Sequence, residues 1–344
     1  MIYNIEITPR LFHFKQPAGT SRGVYLTRKS WMVEITSQQL PGRKGVGECA
    51  PLPDLSTDFR PDYEAVLRQW CDRMEQEGEG VLDEMQAWPS MRFGLETALL
   101  HLQRGTTALF DTPFARGEVG IPINGLVWMG SHDEMLKRVE EKLQQGFHCI
   151  KLKVGAIDFE QELDLVKRIR ERFSPAEMEI RLDANGGFKT DEALDKLERL
   201  AQYAIHSIEQ PIKQHQWGNM AKLCRDAPLP IALDEELIGI NTYDMKLYML
   251  NVVKPAYIIL KPSLHGGMKG VREWVQAANE EGVKAWIRGG LESNVGLNAI
   301  CHLTADIYGE HINMPQGLGT GQLFTDNIPM PLAIEGEKMW YGKE

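Results

Sequence analysis

Five charged residues recur at a near-constant interval, each closing a short apolar run. They are Lys153 in CIKLKVG, Asp183 in EIRLDANGG, Glu209 in HSIEQPI, Asp234 in IALDEEL and Lys261 in YIILKPS. The intervals are 30, 26, 25 and 27 residues. One strand with its returning helix takes about 30 residues. Each charge therefore falls at the same place in a repeated strand–helix unit. In a parallel barrel the C-terminal ends of the strands form the rim on which active sites are built. A fold that obeys this spacing brings three carboxylates to one mouth, with a lysine from the unit before and one from the unit after.

The rest of the chain agrees with that period. From about residue 121, apolar runs alternate with amphipathic helical patterns. The runs are IPINGLVW, CIKLKVG, EIRLDANG, HSIEQPI, PIALDEE, YIILKPS, KAWIRGG and INMPQGL. Residues 159–173 show one of the helical patterns, with Leu163, Val166 and Ile169 on one face; 191–203 and 268–282 show others. Such alternation predicts a parallel sheet, and eight strands with charges at their ends predict a closed α/β barrel. Residues 1–60 read as strands and turns. Residues 61–106 read as helices, with Leu95, Ala98, Leu99 and Leu102 on one stripe. Together these predict an α+β domain ahead of the barrel. The last twenty residues read as strand and loop and are expected to return to that first domain.

Composition narrows the function classes. The 344 residues carry a net charge of −10, which argues against nucleic acid or an anionic membrane as the main partner. No apolar stretch approaches the length of a membrane span, and residues 1–14 alternate like a strand, unlike a signal peptide. The five cysteines form no C-x-x-C pair. Reduced, mostly buried thiols in a cytoplasmic protein are expected.

The charged residues suggest a chemistry. Three carboxylates without a histidine suit a hard, oxygen-loving cation such as Mg²⁺, with Mn²⁺ as the other candidate, and not zinc. Any one of them alone would more readily cap a helix or pair with a lysine. Lys151 and Lys153 sit two residues apart, on the same side of a strand. Two ammonium groups in one cavity repel, which lowers the pKa of one toward that of a general base. Lys261 would face them from across the barrel. A cation site between two such groups suits removal of a proton α to a carboxylate, where an enediolate must be stabilised. Asn185 either supports this centre or forms a turn before Gly186. In RGGLESNVG, Gly289 and Gly290 let backbone approach a ligand, and Ser293–Asn294 opens a helix, as a cap, a ligand-facing end, or both. His265 is read as structural. Residues 14–23 are expected to form a mobile loop over the mouth, and APLPDL, with Leu52, a stiff apolar wall.

These motifs together resemble the enolase superfamily, in its K-x-K (muconate lactonizing enzyme-like) subgroup, over nearly the whole chain. The resemblance implies a (β/α)₇β modified TIM barrel at 117–321, under a capping domain at 1–116 completed by about 322–344. It implies Lys153 as base, Lys151 tuning it, Lys261 on the opposite face, and Asp183, Glu209 and Asp234 as Mg²⁺ ligands. Substrate-binding residues are then expected at Thr20, Leu52, Asn185, Ser263, Gly289, Gly290, Ser293 and Asn294. Within the subgroup, residues 47–56 and 289–297 are similar to the capping loop and seventh-strand motif of the o-succinylbenzoate synthase family. That likeness implies a hydro-lyase acting on a small-molecule carboxylate in menaquinone biosynthesis. The chain would work in the cytoplasm without nucleic acid or membrane, and a homo-oligomer is compatible with it. The alternative is an N-acylamino-acid racemase or dipeptide epimerase of the same superfamily. PQGLGTGQL lacks the acidic pair that holds a dipeptide ammonium, which speaks against dipeptides.

Overall fold

The computed structural model describes residues 2–20, 23–127, 130–155, 158–310 and 312–342. Strands β1 (Tyr3–Thr20), β2 (Gly23–Ser37) and β3 (Lys44–Cys49) form an antiparallel sheet in that order. Helices α1 (Tyr63–Glu77) and α2 (Pro89–Arg104) cover it. The stripe Leu95, Ala98, Leu99 and Leu102 faces inward, onto Val33, Ile35, Leu67 and Met74. Small residues let α2 lie directly on β3. A Cβ added at Gly47 would stand 1.9 Å from the Gly94 carbonyl oxygen.

Residues 14–20, expected as a mobile loop, instead extend β1 into a hairpin arm with β2. The pairing shifts register between His13 and Ala18. Aromatic packing fixes this stretch: the rings of Phe14 and Phe324 are 4.7 Å apart, and Lys15 N–H donates to the Leu323 carbonyl at 2.8 Å.

The barrel follows. After the short β4 (Ile121–Pro122), seven parallel strands line up in chain order. They are β5 (Gly125–Val127), β6 (Cys149–Lys153), β7 (Glu179–Asp183), β8 (Ser207–Glu209), β9 (Ile231–Leu233), β10 (Tyr257–Leu260) and β11 (Lys284–Ile287). The helices between them are α3 (His132–Gln144), α4 (Phe159–Arg172), α5 (Ala193–Ala201), α6 (Trp217–Asp226), α7 (Tyr243–Val253) and α8 (Gly267–Glu280). Helix α9 (Asn294–Tyr308) follows β11. The eighth apolar run closes the ring: Gln316 bridges Ile123 and Gly317 bridges Arg288, both in parallel. The fold is thus the (β/α)₇β barrel with an α+β cap. Outward-facing Ile150, Leu152, Ile180, Leu182, Ile208 and Leu260 build one core with the surrounding helices.

The C-terminal segment packs on both parts of the chain. Thr325 N–H donates to the His13 carbonyl at 2.9 Å, along β1. Strands β12 (Leu332–Glu335) and β13 (Lys338–Tyr341) pair and then join β4 at the barrel's N-terminal end. A small apolar cluster of Leu52, Ile238, Leu264 and Leu291 joins the cap loop to the barrel mouth. The five cysteines are free, and four of them are buried. Among the described residues no helix is long and apolar enough to cross a membrane.

Candidate active site

Strand register assembles the charged cluster. Lys153 of β6 lies beside Asp183 of β7, which lies beside Glu209 of β8. Asp234 follows β9 and Lys261 follows β10, three strands round the ring from Asp183. Alternation puts Lys151 on the same inner side as Lys153. None of these six side chains belongs to a residue more than 5% exposed, so each charge needs a partner.

The partners are one another. Lys153 Nζ donates to Asp183 Oδ2 and to Asn185 Oδ1, both at 2.6 Å. Lys151 Nζ lies 2.8 Å from Asp183 Oδ2 and also donates to Glu209 Oε2. Lys261 Nζ donates to Asp234 Oδ2. Arg288 stands among all three carboxylates. Its Nη1 donates to Glu209 Oε1 at 3.0 Å and is 3.6 and 3.9 Å from Asp183 Oδ2 and Asp234 Oδ2.

The electrostatics sort these groups. Burial lowers the Lys153 pKa against the pull of Asp183, with Lys151 and Arg288 lowering it further. Burial would raise Asp183, but the two lysine ammonium groups hold it well below the usual carboxylate range. Asp234 is likewise held down by Lys261, against burial. Glu209 is pushed up to about 8 by burial and by the neighbouring Asp183 carboxylate. Burial lowers His265 to about 3; its Nδ1 accepts the Lys261 backbone N–H at 2.9 Å, so it acts on the turn that carries the lysine.

A pocket of about 530 Å³, counted to its open mouth, lies over the cluster. Its polar side is Lys153, Asn185, Lys261, Arg288, Gly289 and Gly290; its apolar side is Tyr25, Leu52, Pro53, Leu55 and Leu291. Asn185 also donates through Nδ2 to Glu235 Oε1 at 2.9 Å, which fixes its amide. Lys151 lies deeper, below Arg288.

Three residues expected to contact substrate are instead engaged with protein partners. Ser263 Oγ donates to Glu292, itself buried. Ser293 caps α9 and donates to Glu48 Oε2 at 2.6 Å. Asn294 is engaged with Asn327, whose Oδ1 accepts the Asn294 N–H at 2.8 Å. Ser293 thus holds the barrel to the cap and Asn294 holds it to the tail, while the Ser263 contact lies within the barrel; none of the three is among the residues that line the pocket. The side chain of Thr20 lies outside the described residues.

Sequence reasoning missed Arg288 as a member of the cluster, although the signal was present. It stands 27 residues after Lys261, so the periodic series runs one step further. It also missed Gln210, whose Oε1 accepts the Glu236 N–H at 3.1 Å and whose Nε2 donates to Glu236 Oε2 at 3.0 Å. Gln210 thereby shapes the turn carrying Asp234. Neither residue type nor spacing marks it.

Asp183, Glu209 and Asp234 fit a divalent cation by donor chemistry, being oxygen ligands only. Among the described residues the buried Asp234 Oδ1 accepts no hydrogen bond, and Glu209 is raised first by burial and then by the neighbouring Asp183 carboxylate. Among the described residues the carboxylates do not close into a ready-made metal cage, because ammonium and guanidinium groups share their oxygens.

Comparisons with known proteins place the chain. Residues 134–336 match the enolase C-terminal domain-like family and residues 20–102 match the MenC N-terminal domain. The chain is a member of the enolase superfamily, a barrel enzyme beneath an α+β cap. An o-succinylbenzoate synthase of Desulfotalea psychrophila is 45% identical, over 94% of this chain and 95% of its own. The chain belongs to that enzyme's family, MenC. The crystal structure of MenC from the same organism superposes with a TM-score of 0.85 at 40% identity, covering 99% of this chain and 100% of the other. The dipeptide epimerase from Enterococcus faecalis, solved with Mg and L-Leu-L-Tyr, has the same fold: TM-score 0.85, 18% identity, 100% of this chain and 98% of the other.

Proposed function

We propose that this chain is an o-succinylbenzoate synthase. It removes water from 2-succinyl-6-hydroxy-2,4-cyclohexadiene-1-carboxylate in menaquinone biosynthesis. The observation that carries the reading is the placement of Lys153 and Lys261 on one pocket, from strands on opposite sides of the barrel, with Asp183 and Glu209 in register and Asp234 just past the end of β9. Membership in the MenC family selects this substrate among those the superfamily chemistry could serve.

Lys153, with its proton affinity lowered by burial, takes the proton from the carbon that bears the carboxylate. The electron pair moves into the carboxylate and gives an enediolate. Lys261, paired with Asp234, faces that charge as an ammonium ion. The bond to the ring hydroxyl then breaks. Lys153 returns its proton to the departing oxygen, water leaves and the ring becomes aromatic. One lysine serving both steps makes the elimination syn. Asp183, Glu209 and Asp234 would hold Mg²⁺, which supplies positive charge for the substrate carboxylate. Tyr25, Leu52, Leu55 and Leu291 wall the ring and exclude water. In this reading residues 1–116, with the tail residues 323–326 that pack on β1, act as the cap and 117–321 as the catalytic barrel, in the cytoplasm.

The test is turnover of the cyclohexadiene carboxylate by the wild type, by Lys153→Ala and after chelation. A second reading, racemisation of N-acyl amino acids, is favoured by the same opposed lysines. Exchange of the α-proton with solvent in both enantiomers, without turnover of the cyclohexadiene, would select it. For dipeptides the closing segment 315–323 supplies no acid; its Gly317, Gly319 and Thr320 line a small cavity beside Lys151 and Arg288.

A further inference from the structure

Arg288 has no role in the mechanism above, yet it stands at its centre. It ends β11 as Lys261 ends β10, one strand further round the rim. Its guanidinium lines the pocket beside Lys153, Lys261 and Asn185. Among the described residues its one hydrogen bond is from Nη1 to Glu209. Among the described residues Nε and Nη2 make no hydrogen bond, and neither is sealed from solvent. That edge is the one Arg60 and Arg225 use to grip both oxygens of Asp62 and Asp226. A guanidinium held through one nitrogen, on a residue that lines a pocket, leaves its two-donor edge as a fork for a carboxylate.

We infer that Arg288 binds the substrate carboxylate, the one on the carbon that loses its proton, and holds it as the enediolate forms. This rests on the proposed function for the identity of the carboxylate. Position supports that choice over a remote acid group, because Nη1 of the same guanidinium lies 3.6, 3.0 and 3.9 Å from the Asp183, Glu209 and Asp234 carboxylates. The same position has a second consequence. A fixed positive charge among three carboxylates opposes a cation entering there, so removing it strengthens cation binding.

The experiment is calorimetric titration of the full chain, wild type, Arg288→Met and Arg288→Lys, with Mn²⁺ alone and then with o-succinylbenzoate at saturating Mn²⁺. Arg288→Met is expected to bind o-succinylbenzoate at least tenfold more weakly, and Mn²⁺ at least threefold more tightly. Arg288→Lys keeps the charge and loses the fork. It is expected to bind Mn²⁺ like the wild type and o-succinylbenzoate more weakly. Unchanged o-succinylbenzoate affinity in either folded variant overturns the assignment. Loss of both ligands in Arg288→Met overturns it too, since that marks a merely structural arginine. If the wild type binds an N-acyl amino acid and not o-succinylbenzoate, the proposed function fails by itself. The comparison is then read with that carboxylate, and equal affinities overturn the fork. A wild type that binds neither carboxylate overturns both.

Discussion

Glu48→Ala should loosen the cap from the barrel. Glu48 sits on β3 and is fully buried, yet its partners lie mostly on the barrel. Its carboxylate accepts from Ser30 Oγ at 2.7 Å, Ser293 Oγ at 2.6 Å, Ser293 N–H at 3.1 Å and Gly296 N–H at 3.1 Å. The two N–H groups belong to the first turn of α9, where no intrahelical acceptor exists. Truncation leaves both buried without a partner, at about 1–3 kcal/mol each. The hydroxyls can turn to other acceptors. The expected loss is therefore about 4 kcal/mol, a large part of the 5–15 kcal/mol that holds a typical protein folded. Because Ser293 follows Gly289–Leu291 of the pocket wall, KM should rise as well. Urea unfolding followed by circular dichroism measures the first effect, and steady-state kinetics well below the midpoint the second. A loss under about 1 kcal/mol with unchanged KM would refute the idea that this carboxylate docks the two parts.

Asp58 caps α2 through Ser90 and Met91, and burial raises its carboxyl to about 6. The folded state thus binds this proton more tightly than the unfolded chain, whose value is about 3.9. The Asp58 contribution to stability is complete below about pH 4 and falls by about 2–3 kcal/mol as pH rises through 6. Asp58→Asn should flatten the unfolding free energy between pH 4 and 6, and an unchanged slope would contradict this. Gly94→Ala should cost about 3 kcal/mol or more, because its Cβ would lie 2.3 Å from Cys49 Sγ and 2.9 Å from the Cys49 nitrogen. A melting temperature equal to the wild type would show that α2 and β3 can separate cheaply. For Lys153 as base, kcat/KM should rise with pH through a value below the ordinary lysine figure of about 10.4. An inflection at the ordinary value would mean burial does not tune it.

The barrel was legible because its pattern repeats. An apolar run, a charge and an amphipathic helix recur at one spacing, and strand register then places Lys153, Asp183 and Glu209 side by side without further information. The pocket wall was less legible. Ser263, Ser293 and Asn294 look like ligand contacts in sequence, since small polar residues beside glycines suit either a ligand or a cap. Their actual partners are Glu292 on the neighbouring barrel loop, Glu48 on the cap and Asn327 on the tail, none of which local pattern fixes. Ser293 and Glu48 are 245 residues apart, beyond any local pattern. The hairpin arm at 14–20 was hidden similarly. Its small residues suggest a loop, but Phe14 stacks on Phe324 from the far end of the chain. Arg288 shows the opposite case, a residue that lies on the period, 27 residues after Lys261, and was visible to the same pattern.

The central claim is that Lys153 is the base of a dehydration. The most direct measurement is the loss of ultraviolet absorbance as the cyclohexadiene carboxylate is consumed with Mg²⁺, by wild type and Lys153→Ala. The account predicts rapid loss by the wild type, abolished by chelator, and a fall of about 10³-fold or more in a folded Lys153→Ala. Turnover by Lys153→Ala within a few fold of the wild type would contradict it.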